Sequence, residues 1–121
     1  MRDYRRLDVY QSAEQLVIDT YCRTATLPLE ERYRLRAQMR AVAISIASSI
    51  AEGSARTTDP NFTRPLEIAL GSARELECQF TLVERLGLMR ARAREGSMQC
   101  DHTTRMPVTL LRTPRRQGQR S

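Results

Sequence analysis

Three stretches of this chain repeat apolar residues at alternating steps of three and four, the spacing that lays a stripe along one face of an α-helix. In the first, Val9, Ala13, Leu16, Val17, Thr20 and Tyr21 fall on one side, while Gln11, Glu14, Gln15 and Asp19 fall on the other. Leu35, Met39, Val42, Ile46 and Ile50 form the second stripe, and Leu66, Leu70, Ala73, Leu76, Phe80 and Val83 form the third. The punctuation agrees with three helices. Asp8 is placed to cap the first, with Gln11 as its capping-box partner. Pro28 in "TATLPLEE" ends that helix, and Glu30 and Glu31 suit the positive end of the next. The second helix is expected over Leu29–Glu52 and closed by Gly53. The third is expected over Pro60–Leu86, with Asp59 as cap and Gly87 as stop. Pro65, one turn inside it, predicts either a kink or a start delayed to Arg64.

Between its isoleucines the second helix reads "ISIASSIAEGSAR", which is almost devoid of bulk. Ala43, Ala47, Ser48 and Ala51 there, and Ala69, Gly71, Ser72 and Ala73 on the third helix, present small residues over two or three turns. A glycine inside a helix costs about 1 kcal/mol relative to alanine, so propensity alone does not account for Gly71. The pattern predicts close approach of helices two and three, with Ala47, Ala51, Ala69, Gly71 and Ala73 as packing residues. Gly71→Leu and Ala51→Leu are then expected to overpack.

After Met89 the periodicity stops. Residues 90–121 carry 8 arginines against 2 acids, whereas residues 1–89 carry 12 against 12, so the whole net charge of +6 resides in this arginine-rich tail. The expectation is a three-helix core over 1–89, a fourth helix degenerate or missing, and an irregular basic segment over 90–121. A divergent tail and an altered reading frame near residue 90 both fit the change. The groove between helices one and three would need a cover.

No run of about 18 apolar residues is present to cross a bilayer, and the first ten residues lack a signal peptide's apolar stretch, so a cytoplasmic protein with no membrane role is expected. Cys22, Cys78 and Cys100 have no paired spacing, which argues against disulfides and zinc. The single histidine, His102, stands beside one aspartate and one cysteine, too few for a metal site. Glu67, Glu75 and Glu77 lack the Glu-x-x-His of a di-iron helix bundle, and Gly53, Gly71 and Gly87 stand apart rather than in a phosphate loop. No catalytic, cofactor-binding or metal-binding set is assigned, and no enzyme is expected. Glu52 has two readings, a contact to an arginine such as Arg40 or Arg56, or an exposed helix-end glutamate. Arg32, Arg36 and Arg40 recur at fours as a basic strip, and Arg112, Arg115, Arg116 and Arg120 lie in the tail; both are candidates for contacting nucleic-acid phosphates.

The segments "YRRLDVYQSAEQLV" (4–17), "ERYRLRAQMRAVAISIASSIAEG" (31–53) and "LEIALGSARELECQ" (66–79) resemble, in that order, the family of four-helix-bundle proteins named for the 23S rRNA intervening sequences in which some are encoded. Ala47, Ser49 and Pro65 depart from that pattern, which usually has proline, asparagine and an aromatic residue there. The resemblance implies a cytoplasmic bacterial or mobile-element protein, all-α, folded as an antiparallel up-down bundle that assembles into a ring, commonly a pentamer. It also implies kinship with the accessory variability determinant of diversity-generating retroelements, and so RNA and a reverse transcriptase or other protein as partners. The function expected is a non-enzymatic oligomeric accessory or scaffold protein that binds RNA. The alternative is a protein-binding oligomer with no nucleic-acid role.

Overall fold

The computed structural model describes residues 3–56, 63–89 and 91–106, apart from the side chains of Arg32 and Ala91. Among them it contains helices and turns and no strand: α1 (Asp8–Thr24), α2 (Ala37–Ala55), α3 (Thr63–Arg85) and α4 (Ala91–Thr104). Each helix packs on the next, and α4 returns to α1, so α1 and α3 lie on one diagonal and α2 and α4 on the other. Cross-helix pairs run in opposite order along every seam. Ser45 meets Ser72 and Gly53 meets Leu66 between α2 and α3. Glu84 meets Arg94 and Arg74 meets Asp101 between α3 and α4. Ser12 meets Thr103 and Asp19 meets Gln99 between α1 and α4. The fold is an antiparallel four-helix bundle.

Its core is one cluster. Leu16, Met39, Ile46, Leu76, Phe80 and Val83 are fully buried at its centre, with Val9, Ala13, Ala43, Ile50, Ala69, Ala73, Ala93 and Cys100 around them. Two members of the sequence-derived stripes lie elsewhere. Tyr21 is on the outer surface, where Thr20 and Thr24 take the inward places one turn apart, and Leu70 is half exposed.

The expected fourth-helix defect is overturned. α4 is a 14-residue helix whose inward face is Ala93, Gly96, Cys100 and Thr103, spaced three, four and three. A Cβ added at Gly96 would come within 2.7 Å of Phe80 ring carbons, so glycine there is what lets α4 lie flat on the ring. Toward α1 the seam is polar. The hydroxyls of Ser12 and Thr103 bond at 2.9 Å, Gln99 Nε2 donates to Asp19 Oδ2 at 3.0 Å, and an Arg23 guanidinium N–H donates to Gln99 Oε1. A helix that packs through small residues on one side and hydrogen bonds on the other has no bulky apolar stripe to betray it.

Helix ends also differ from expectation. Leu7, not Asp8, occupies the cap position of α1, and no side chain bonds there; Gln11 donates instead to the Arg5 carbonyl at 3.1 Å, tying α1 to the 3-10 turn Tyr4–Arg6. The chain enters α2 through a 3-10 turn (Leu29–Glu31) and one π turn (Arg32–Arg36), and α2 runs past Gly53 to Ala55. Gly53 is therefore no helix stop. It is buried where α3 begins, and a Cβ would stand 2.8 Å from Leu66 Cδ2. Pro65 is buried near the start of the described part of α3, and the residues before Thr63, where a delayed start would show, lie outside the described residues. Asp59 and Pro60 lie outside the described residues. Gly87 does end α3, at φ +74°, with the Leu88 N–H donating to the Val83 carbonyl at 2.9 Å in the six-to-one bond of a Schellman motif.

Candidate assembly surface

The five small residues expected to join α2 to α3 divide into three groups. Ala69 and Ala73 are buried and line the interior with Ile46 and Ile50. Ala47 and Ala51 stand on the other side of α2, toward α1, beside Tyr10, Val17 and Ile18. Gly71 packs on nothing: it is exposed, and an added Cβ would meet no atom within 4 Å. Along the same α2–α3 seam Gly53 lies against Leu66, and the hydroxyls of Ser45 and Ser72 are 3.1 Å apart.

What the bulk-free stretch of α2 builds is a trough. Ala41, Ile44, Ser48 and Ala51 recur at steps of three and four along its outer side, and α1 supplies the facing wall with Tyr10, Glu14, Val17 and Ile18. Ser48 directs its hydroxyl back to the Ile44 carbonyl at 3.0 Å, so the floor presents no unsatisfied donor. Ile18 is 51% and Ile44 46% exposed, enough to leave an aliphatic ridge in water on each side of that floor. Tyr4 and Tyr10 close one end edge-to-face, with ring centroids 4.8 Å apart. Burial pushes the Tyr10 hydroxyl's pKa above its ordinary value.

The other end belongs to arginines. Arg40 Nε donates to Thr24 Oγ1 and Nη2 to the Tyr21 carbonyl, both at 2.9 Å, with the guanidinium 4.3 Å from the Tyr21 ring centre. Arg36 Nε donates to the Thr24 carbonyl at 3.2 Å. These two members of the expected basic strip thus satisfy the last carbonyls of α1, at the negative end of its dipole. The side chain of Arg32 and all of Arg112, Arg115, Arg116 and Arg120 lie outside the described residues. Glu52 pairs with Arg56 at 2.9 Å across one helical turn, both half exposed.

A second, mixed face runs along the outside of α3. Ile68, Gly71, Glu75, Cys78, Leu82 and Leu86 share this exposed face at three-and-four spacing, so its apolar residues gather toward the two ends with Glu75 between them. Among the described residues no group of three or more His, Cys, Asp or Glu side chains could hold a metal ion. Glu77 is half-buried beside Arg74 at 3.1 Å, and His102 is exposed on α4. Sequence reasoning missed Asp19, Arg23 and Gln99, whose shared bonds tie α4 to α1. Their only sequence signal is polarity, which reads equally as a solvated face.

The sequence model of the 23S rRNA-intervening sequence protein family matches residues 5–108. The chain belongs to that family. In this intervening-sequence protein the matched range includes residue 90, where the composition changes, and all of α4. No match was found among curated proteins. No helix among the described residues is long and apolar enough to cross a membrane.

Proposed function

We propose that this intervening-sequence protein is a non-enzymatic building block that assembles with copies of itself and serves in the cytoplasm as an accessory or scaffold protein. The observation that carries the reading is the pair of unlike surfaces, an apolar trough between α1 and α2 and an exposed face of α3 with Ile68, Leu82 and Leu86 toward its ends. Different surfaces on one subunit pair head to tail, which generates a closed ring when the rotation closes. A trough floored by alanine and serine suits a helix approaching at the short end of the usual 8–10 Å separation. The family resemblance favours a pentamer. Light scattering on the purified chain tests this: the expected result is a discrete oligomer that Ile44→Glu converts to a folded monomer. A folded wild-type monomer at tens of micromolar ends the assembly reading.

RNA is the partner favoured by charge. All 20 basic residues are arginine, suited to bidentate phosphate contacts, and a ring would repeat the excess beyond residue 89 around its axis. The geometry of Arg36 and Arg40 weighs the other way, toward a protein-binding oligomer with no nucleic-acid role. Filter binding to RNA across a salt series separates the two. Binding that weakens steeply with salt supports RNA, and none at low salt leaves the protein-binding oligomer. A reverse transcriptase as protein partner rests on the family resemblance alone.

A further inference from the structure

Charges mark both ends of the trough. Glu14, exposed on the α1 wall, stands beside Ser48 and Ala51 near the tyrosine end. Arg40 stands at the other end, where the Thr24 hydroxyl and the Tyr21 carbonyl give its guanidinium only neutral oxygens. The outer face of α3 carries charges in the complementary order. Arg64 is exposed near its start and Glu75 at its middle. None of these four groups is in an ion pair among the described residues.

The spacings agree. Arg64 precedes Glu75 by eleven residues, about 16 Å of helix, and Ala51, beside Glu14, follows Arg40 by the same eleven. A helix laid the other way would also bring a cation to Glu14, since Arg85 lies ten residues beyond Glu75. Ring symmetry decides between the two directions. Where the ring axis runs along the bundle, rotation keeps α2 of every copy parallel. α3, antiparallel to α2 within one molecule, is then antiparallel to the neighbouring α2 as well.

We infer, resting on the head-to-tail assembly proposed above, that a second copy lays the outer face of its α3 antiparallel along α2 in the trough, its Glu75 on Arg40 and its Arg64 on Glu14. Ile68 of that copy covers the floor at Ser48 and Ala51, and its Leu82 comes level with the exposed Tyr33. In this alignment Cys78 of the second copy faces the exposed Ala37, whereas the reversed direction would bring it to Ile44. Oxidation of full-length Cys22→Ser/Ala37→Cys with copper phenanthroline should join the new thiol to Cys78 of another chain, identified by mass spectrometry of the linked peptides. The same treatment of Cys22→Ser/Ile44→Cys should give no link to Cys78. An oligomer that links at 44, or at neither position, overturns the alignment and leaves the assembly reading standing; a folded wild-type monomer overturns both. Glu14→Arg, which sets like charges together, should weaken assembly about tenfold or more, and adding Arg64→Glu should restore it. Rescue by Arg85→Glu in place of Arg64→Glu, or by neither, also overturns the alignment.

Discussion

Three glycines in helices of this protein differ only in what faces the missing methyl. At Gly71 nothing does, so Gly71→Ala should raise stability by about 1 kcal/mol through helix propensity alone. At Gly53 the neighbour is the end of the half-buried Leu66 side chain, which can rotate away, and the change should be near neutral. At Gly96 it is the Phe80 ring, fully buried, and Gly96→Ala should cost about 1–3 kcal/mol. Urea melts of the three variants check the order, and an equal response at all three would remove close packing as the cause. Cys100 offers a second probe at this scale. Burial, helped by the nearby Glu77 charge, pushes its thiol pKa from 9.0 up to about 12. The folded state holds that proton more tightly than the unfolded state. Its stabilising effect is therefore complete below about pH 9 and is lost as pH rises from there toward 12. Melts from pH 8 to 11 should show the wild type losing stability more steeply than Cys100→Ala. Alkylation of the native protein should reach Cys22 and Cys78, which are exposed, and spare Cys100.

At the scale of elements, the junction of α1 with α2 is made by charge as much as by apolar contact. Thr24 is buried and fully used: its hydroxyl donates to the Thr20 carbonyl at 2.7 Å and accepts from Arg40 Nε. Arg40→Ala should destabilise the bundle by about 1–2 kcal/mol, the range for a partly exposed charged hydrogen bond. Arg40→Lys should recover little of that, because one ammonium cannot reproduce the fork that reaches Thr24 and Tyr21 together while stacking on the ring. Thermal melts of both variants decide it, and a lysine variant as stable as the wild type would reduce Arg40 to a point charge. The helices also show why half of the architecture was legible in advance. α1, α2 and α3 each carry bulky apolar residues at helical spacing, and that spacing predicted their inward faces, with Tyr21 and Leu70 as the exceptions. Tyr21 faces outward because Arg40 stacks on it, and Leu70 because α4 ends before reaching it.

For the whole molecule, assembly and folding make separate demands on the surface. The trough lies on the outside of the bundle between α1 and α2, so it responds to substitutions that leave the interior untouched. Ile18→Glu, on the opposite wall from Ile44, should also dissociate the oligomer in sedimentation velocity while leaving the thermal midpoint within a few degrees, since neither isoleucine enters the core. Loss of folding together with loss of assembly in both isoleucine variants would instead place the trough inside the folding unit.

The amino-acid sequence by itself determined an all-α chain, the three helices that carry bulky stripes, and the glycine at 87 that ends the third. Only the tertiary structure decided which small residues are in contact and that a fourth helix exists. The reason is that a leucine declares an inward face wherever it stands, since burying it is favourable against almost any apolar surface. An alanine or glycine gains little by itself, and its direction is set by whatever bulk lies opposite. Gly96 faces inward because Phe80 is there; Gly71 has nothing opposite and lies in water.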